Sequence, residues 1–409
     1  MTHQLSGKIG GNLISKDIEY TINTLKNIDS IYSDNVKYIE NVETPDSETA
    51  IITLSQNINF FEYYLDFPIV SSSYYYNEDF VNSTKIPVGT GMYKIASIDD
   101  SNILLVINDR WRKLESDMPK TQSITIHRYN AIGEIFNAFK LGNIDILNTQ
   151  MTNYSDYIGT MGYNKKEYPG RKYNFISFNC NDSILSDKEV RQAIYKGINK
   201  GNLVSTVFNN TKMVSSSPLG YGSYLNYEDN ILEYSQDDAK RILQDDGWVF
   251  TNNRWQKTID GYVRKLTLSL VVNESDQERV NASYNIKEQL ESIGIMINVV
   301  KVSPERYYQY IGEKNYQMLM TGITNSTNPD LSFLYGKDNL ANYYNEDIFA
   351  KINNLDNYSE IQKQINDDVP YIGLYRDKNT LILNANVGGN FIPTAYFTYY
   401  SFNKWYRQQ

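Results

Sequence analysis

Few side chains in this sequence could do covalent chemistry. Histidine occurs only as His3 and His127, and cysteine only as Cys180. A Ser-His-Asp or Cys-His nucleophile, or a histidine-rich metal site, would have to rely on His127. That residue stands in "SITIHRY", an alternating strand pattern where an ordinary structural imidazole is expected. Cys180 follows strand-like "FISFN" with no histidine nearby, so a buried thiol without a disulfide is expected. The acidic pairs Asp237-Asp238 and Asp245-Asp246 are adjacent in sequence, so on a helix they point about 100° apart. They make poor acid–base partners and are expected to be solvated. A hydrolase working through paired carboxylates is the least favoured class, because no motif marks two convergent acids.

The glycine-rich stretch "KIPVGTGMYKI", residues 85–95, could suggest a phosphate cradle. Such a loop needs a helix N-terminus after it and a Lys-Ser or Lys-Thr pair. Here Gly89-Thr90-Gly91 leads into "MYKIAS", a turn and "ILLVI", which reads as two strands. Nucleic acid is excluded as a partner by a net charge of −9 and by the lack of a basic stripe. Tyrosine is abundant, with 36 residues. Its flat apolar body and hydroxyl suit pockets that accept varied ligands. Compositional bias is the other reading, since Asn and Lys are also plentiful.

A chain of 409 residues calls for two or three lobes. No stretch approaches the ~20 apolar residues of a membrane span, and "MTHQLSGKIGGNL" does not read as a signal peptide. Residues 17–27 carry Ile18, Ile22 and Leu25 on one helical face. Strands are expected at "VKYIENVE" and "TAIITLS", and a short helix at "INFFEYYLDF". Strands at 92–98 and 102–108 and "SITIHRY" precede a helix with Ile132, Ile135, Phe136 and Phe139 aligned, ended by Gly142. After the strand "KYNFISFNC", Ser186 and Glu189 suggest a capping box for a helix running through "VSTVF". The long loop at 209–230 is expected to be functional or mobile. A helix over 277–294 aligns Ala282, Ile286, Leu290 and Ile293 between two strands. In "NSTNPD", Ser326 or Asn328 is expected to cap a helix with Pro329 at its first position. Two strands, "YIGLYR" and "TLILNA", a Gly-Gly break and a strand-like aromatic tail close the chain.

These motifs, in order, bring a resemblance. "PVGTGMYKI" resembles the P-V-G-T-G-P-Y segment of the family 5 extracellular solute-binding proteins, the oligopeptide, dipeptide and nickel receptors of ABC importers. "NDRWRKLESDMPKTQSITI", "NAFKLGNIDIL" and "EVRQAIYKGINKGNLV" are similar to further stretches of that family, as are "DDAKRILQDDGW", "IKEQLESIGIMINV" and "DDVPYIGLY". The resemblance covers most of the chain from residue 17 onward.

It implies an α/β fold of the periplasmic-binding-protein type II class, with two lobes joined by a two-strand hinge. On this reading residues 1–84 form a small α/β subdomain of the first lobe, lacking the leader and first strands that family members carry. Residues 85–178 and 388–409 form the first-lobe core, and 179–387 the second lobe. Crossings are expected near Phe175–Asn181 and Asn384–Asn390, with Asn179, Asn181, Asn386 and Gly388 at the hinge. The Gly-Thr-Gly turn is expected to use backbone angles closed to other residues. Ligand contacts are expected from Tyr93, Tyr221, Tyr224, Asn325, Ser326 and Thr327. Ser326 falls where peptide-binding members carry an aspartate for the ligand's amino terminus, and a hydroxyl makes a weaker bond than a carboxylate. Trp111 and Trp248 are expected in the core. The function implied is substrate binding for a peptide-type ABC importer, by an extracytoplasmic monomer, lipoprotein or periplasmic, with permease subunits as partners, no metal and no cofactor. A ligand-sensing module of a larger regulator, or a receptor remnant, stays open as the alternative.

Overall fold

A computed structural model describes residues 8–9, 11–79, 82–111, 118–219, 223–227 and 231–408. The chain divides into two units. One comprises residues 1–166, 380–393 and 397–409; the other comprises 167–379 with 394–396. Two long strands, Tyr163–Phe178 and Tyr371–Asn384, pass through the boundaries at 166/167 and 379/380. Phe175–Asn181 lies wholly in the second unit and Asn384–Asn390 wholly in the first.

In the first unit, helix Ser15–Asn27 packs Ile22 and Leu25 against the hairpin of Ile39–Glu43 and Ile51–Leu54, with Val36 and Phe67 completing the core. Asp17 ties this layer to the loop that follows it. Its carboxylate accepts from Ile14 N at 3.0 Å and from the Ser72 backbone N and Oγ at 2.7 Å. We expect Asp17→Ala to cost about 2–3 kcal/mol, because three half-buried donors lose a charged acceptor. A chemical denaturation midpoint unchanged from wild type would contradict that. A meander of Tyr93–Ile98, Asn102–Ile107 and Ser123–His127 follows. Helix Ile132–Lys140 buries Phe136 and Phe139 with Tyr154, Ile158 and Ile382. Strand Ile146–Thr149 pairs with the end of the second long strand, Thr149 opposite Thr380.

The second unit is built on a sheet in the order 212–214, 371–384, 163–178, 318–324, 267–273, 296–302. Met318–Thr324 runs antiparallel to Tyr163–Phe178, and Thr267–Asn273 runs parallel to both of its neighbours. Side chains alternate across it, as the strand period of two requires. Leu268, Leu270 and Val272 face helices 188–197, 200–208, 236–245 and 277–291, whereas Val271 and Leu319 meet Tyr307 and Tyr316 on the opposite side. Ala282, Ile286, Leu290 and Ile293 are all buried in the larger core, as their spacing predicts.

Several local expectations are corrected. The helix begun at Ser186 is capped by Asp187, which accepts from Glu189 N, and it stops at Gly197. Asn199 Oδ1 then captures Asn202 N at 2.8 Å and starts a second helix, Lys200–Phe208. "YIGLYR" and "TLILNA" form one continuous strand. The aromatic tail is mostly turns, with only Tyr406–Arg407 paired as strand. Neither Gly89 nor Gly91 takes a positive φ. Asp238 and Asp246 are not free in solvent: Asp238 pairs with Lys196 and Arg241, and Asp246 with Lys257. A meander of Val249–Thr251, Arg254–Ile259 and Tyr262–Lys265, unread in the sequence, turns at Asn252-Asn253 and Asp260-Gly261, all at positive φ. Those pairs suit the tight hairpin turn whose twist matches its strands.

Candidate ligand-binding site

Arg376 ends the apolar run "YIGLY" on the second long strand, and only 1% of its surface is exposed. No carboxylate faces it among the described residues; its partners are neutral oxygens instead. Nε donates to Ser215 Oγ at 3.0 Å. Nη1 donates to Asn325 Oδ1 at 2.6 Å and to the Arg171 carbonyl at 3.3 Å. Nη2 reaches the carbonyls of Ser217, Pro218 and Leu219 at 3.1, 3.2 and 2.8 Å. The guanidinium lies 4.7 Å from the centre of the Tyr173 ring, a cation–π contact in a desolvated setting. Burial pulls its pKa below the ordinary arginine value, yet a guanidinium keeps its proton inside proteins. One buried fork therefore fixes segment 215–219 and the loop that begins at Asn325.

Asn325 is held on all sides. Its Nδ2 donates to the Pro218 carbonyl at 2.7 Å, its N to the Arg171 carbonyl at 3.0 Å, and its own carbonyl accepts from Arg171 Nε at 2.7 Å. Segment 215–216 also presses on the strand at Gly373. A Cβ there would stand 2.6 Å from the Ser216 carbonyl and 2.8 Å from that of Ser215, both backbone atoms. Gly373→Ala should cost about 1–3 kcal/mol by overpacking and displace the segment. A variant with wild-type stability would argue that the segment yields freely.

Lys200 approaches Ser216 from the other direction. Its ammonium donates to Tyr195 OH at 2.7 Å and Ser216 Oγ at 2.9 Å, 4.1 Å from the centre of the Tyr195 ring. Part of the side chain is accessible, but the ammonium is enclosed, and burial pulls its pKa down to about 7. A small cavity, with room for about a water or two, lies among Tyr173, Tyr195, Ser216, Pro218, Tyr227 and Gln362.

Of the residues read from the sequence, the structure ties Asn325 into this network. Ser326 is exposed and its Oγ donates to the Asn328 carbonyl at 3.3 Å; Thr327 is half-buried. No helix starts at these residues. Asn328 Oδ1 accepts from Asp330 N, and the short helix Ser332–Tyr335 begins where Asp330 Oδ1 accepts from Ser332 N and Oγ. Tyr224 is exposed, and Tyr221 lies outside the described residues. Tyr93 belongs to the first unit, where its hydroxyl donates to the Thr121 carbonyl at 2.8 Å and burial pushes its pKa up to about 12.

Asn179 donates to the Lys314 carbonyl and accepts from Asn342 and Asn181 N. Asn386 accepts from Gln408 N through its carbonyl, and Gly388 pairs with Tyr406. Trp248 is buried and Trp111 half-buried. His127, exposed on its strand, bonds Asn102 Oδ1 at 2.8 Å. Cys180 is half-buried, with its thiol pushed up to about 11 by burial. Asp187, Glu189 and Asp246 cluster closely enough to suggest a cation, but Lys257 stands among them, 3.3 Å from Asp187 and 2.8 Å from Asp246. Arg376 and Lys200, which organise this network, have no counterpart among the residues expected from the sequence. The available signal was an arginine closing an otherwise apolar buried strand.

Known proteins share this architecture. The oligopeptide-binding protein AppA of Bacillus subtilis is 23% identical over 327 residues, 75% of this chain and 59% of AppA. The chain thus spans less than two thirds of that relative's length. Among solved structures, a nickel ABC transporter protein from Bacillus halodurans matches with a TM-score of 0.77 at 18% identity, covering 96% of this chain and 84% of that one. AppA from Bacillus subtilis in complex with a nonapeptide matches with a TM-score of 0.53 at 21% identity, covering 100% and 86%. At such identities the likeness shows the fold, which is that of the type II periplasmic-binding proteins. The model for bacterial extracellular solute-binding proteins, family 5 (middle), matches residues 10–345, and the chain belongs to that family.

Proposed function

We propose that the chain is the substrate-binding component of a peptide-type ABC importer, capturing an oligopeptide or similar small solute and delivering it to membrane permease subunits. The observation that carries this reading is the shared anchoring of segment 215–219 and the Asn325 loop by one buried guanidinium. Binding surfaces gain affinity when their loops are ordered before the ligand arrives. Backbone groups around Asn325 and exposed tyrosine faces such as that of Tyr224 tolerate ligands of varied side chain. On this reading the protein works as a monomer outside the cytoplasm, as a lipoprotein or a periplasmic protein, and catalyses nothing. Among the described residues no helix is long and apolar enough to cross a membrane.

The reading is tested by thermal unfolding with randomised peptide pools and, separately, with nickel–histidine. Ligand at about 100 times its Kd adds about 2.7 kcal/mol to stability, which raises Tm by several degrees. Peptide pools are expected to give that rise. A rise with nickel–histidine alone would replace peptide by metal chelate as the cargo, and no rise with either would overturn the proposal.

A further inference from the structure

Positive charge without a counter-ion among the described residues gathers at the Asn325 edge of the second unit. Arg171 is exposed, and its Nε is committed to the Asn325 carbonyl. Its guanidinium lies 5.9 Å from the centre of the Tyr396 ring. No ion pair engages it among the described residues, and its two terminal nitrogens have no protein acceptor there. Arg376 grips the same asparagine from inside the fold, likewise without an acid among the described residues. The acids nearby in sequence are all engaged elsewhere. Glu167 pairs with Lys378 at 3.3 Å and Asp377 with Lys212 at 2.7 Å. Asp330 is turned onto Ser332. In a chain with a net charge of −9, two guanidinium groups on one loop residue, with no carboxylate on them among the described residues, form a local exception.

From this we infer that the ligand brings a carboxylate to this edge, taken by the outward fork of Arg171, and that this end of the site does not select an ammonium. The inference rests on the binding function proposed above and names the group recognised there. A guanidinium offers two parallel N–H donors that match a carboxylate in a bidentate bond. Arg171 is positioned for it because its Nε bond to Asn325 and the Tyr396 ring hold the plane, leaving the far edge of the fork unused. Ser326, exposed beside it, carries no charge to hold an amino terminus. The carboxylate can come from a peptide C-terminus or from an Asp or Glu side chain.

The test uses the whole chain and randomised pentapeptide pools in four forms: free acid, C-terminal amide, N-acetylated acid, and C-terminal amide enriched in Asp and Glu. Affinities are read by equilibrium dialysis with mass spectrometry. We expect amidation to weaken binding at least about tenfold and N-acetylation to change it less than about threefold. Recovery in the acidic amide pool would assign the carboxylate to side chains, and no recovery would assign it to the C-terminus; either outcome supports the inference. Arg171→Gln should erase the difference between acid and amide, and Arg171→Lys should restore part of it. Should Arg171→Gln not fold, the wild-type comparison of acid with amide decides alone. Acid and amide binding equally, with N-acetylation abolishing binding, would overturn the inference while leaving peptide binding intact. Silence from all four pools would overturn the peptide reading and this inference with it.

Discussion

Arg376→Met should lower stability by about 3–5 kcal/mol, because several buried neutral acceptors would lose their donor at once. Methionine fills much of the volume but donates nothing. The carbonyls of Ser217, Pro218 and Leu219, the Arg171 carbonyl and Asn325 Oδ1 would all lose a donor. A single unsatisfied buried polar group costs about 1–3 kcal/mol, and partial relaxation of segment 215–219 toward solvent sets the lower bound. The same substitution should weaken ligand binding, since the segment and the Asn325 loop would have to be ordered at the moment of capture. Urea denaturation gives the first quantity and calorimetric titration the second. A loss below about 1 kcal/mol would show that the loops are held by other contacts and that Arg376 is not their anchor.

The second large effect is on pH dependence. An ordinary lysine pKa is 10.5, and that of Lys200 in the folded protein is about 7. Between these values the unfolded chain binds a proton that the folded chain does not, so stability rises with pH across this window. Above it the amine is neutral in both states and no penalty remains. Below about 7 both states carry the charge and the folded protein bears the full burial cost, on the order of a few kcal/mol. Lys200→Met should flatten the rise between pH 7 and 9.5 and leave the variant no less stable than wild type near neutrality. Subtracting the two curves removes other titrating groups. Parallel curves would mean that Lys200 keeps its ordinary proton affinity and that its ammonium is solvated.

Much of the fold was legible because it is written in local periodicity. Helix 277–291 declared its buried stripe through Ala282, Ile286 and Leu290, and strand 267–273 its two faces through Leu268, Leu270 and Val272 against Val271. The hairpin turns at Asn252-Asn253 and Asp260-Gly261 carry a local signal too, in residue types that tolerate positive φ. Ile132 shows the limit of periodicity, lying exposed on a helix whose Phe136 and Phe139 are buried. The split of the helix at Asn199 turned on one side-chain bond to Asn202 N, which competes with helix continuation. The site was least legible. Asn325 was singled out by resemblance, but Arg376 draws its acceptors from residues 171, 215–219 and 325, segments that only the folded sheet brings together. No spacing in the sequence encodes such a convergence.

Binding of small solutes by this chain is read directly by mass spectrometry of small molecules released when the purified protein is gently denatured. A set of short peptides is expected, present near stoichiometry and depleted from the Arg376→Met protein. Release of nothing, from a folded protein whose melting temperature moves with neither peptide pools nor nickel–histidine, would contradict it.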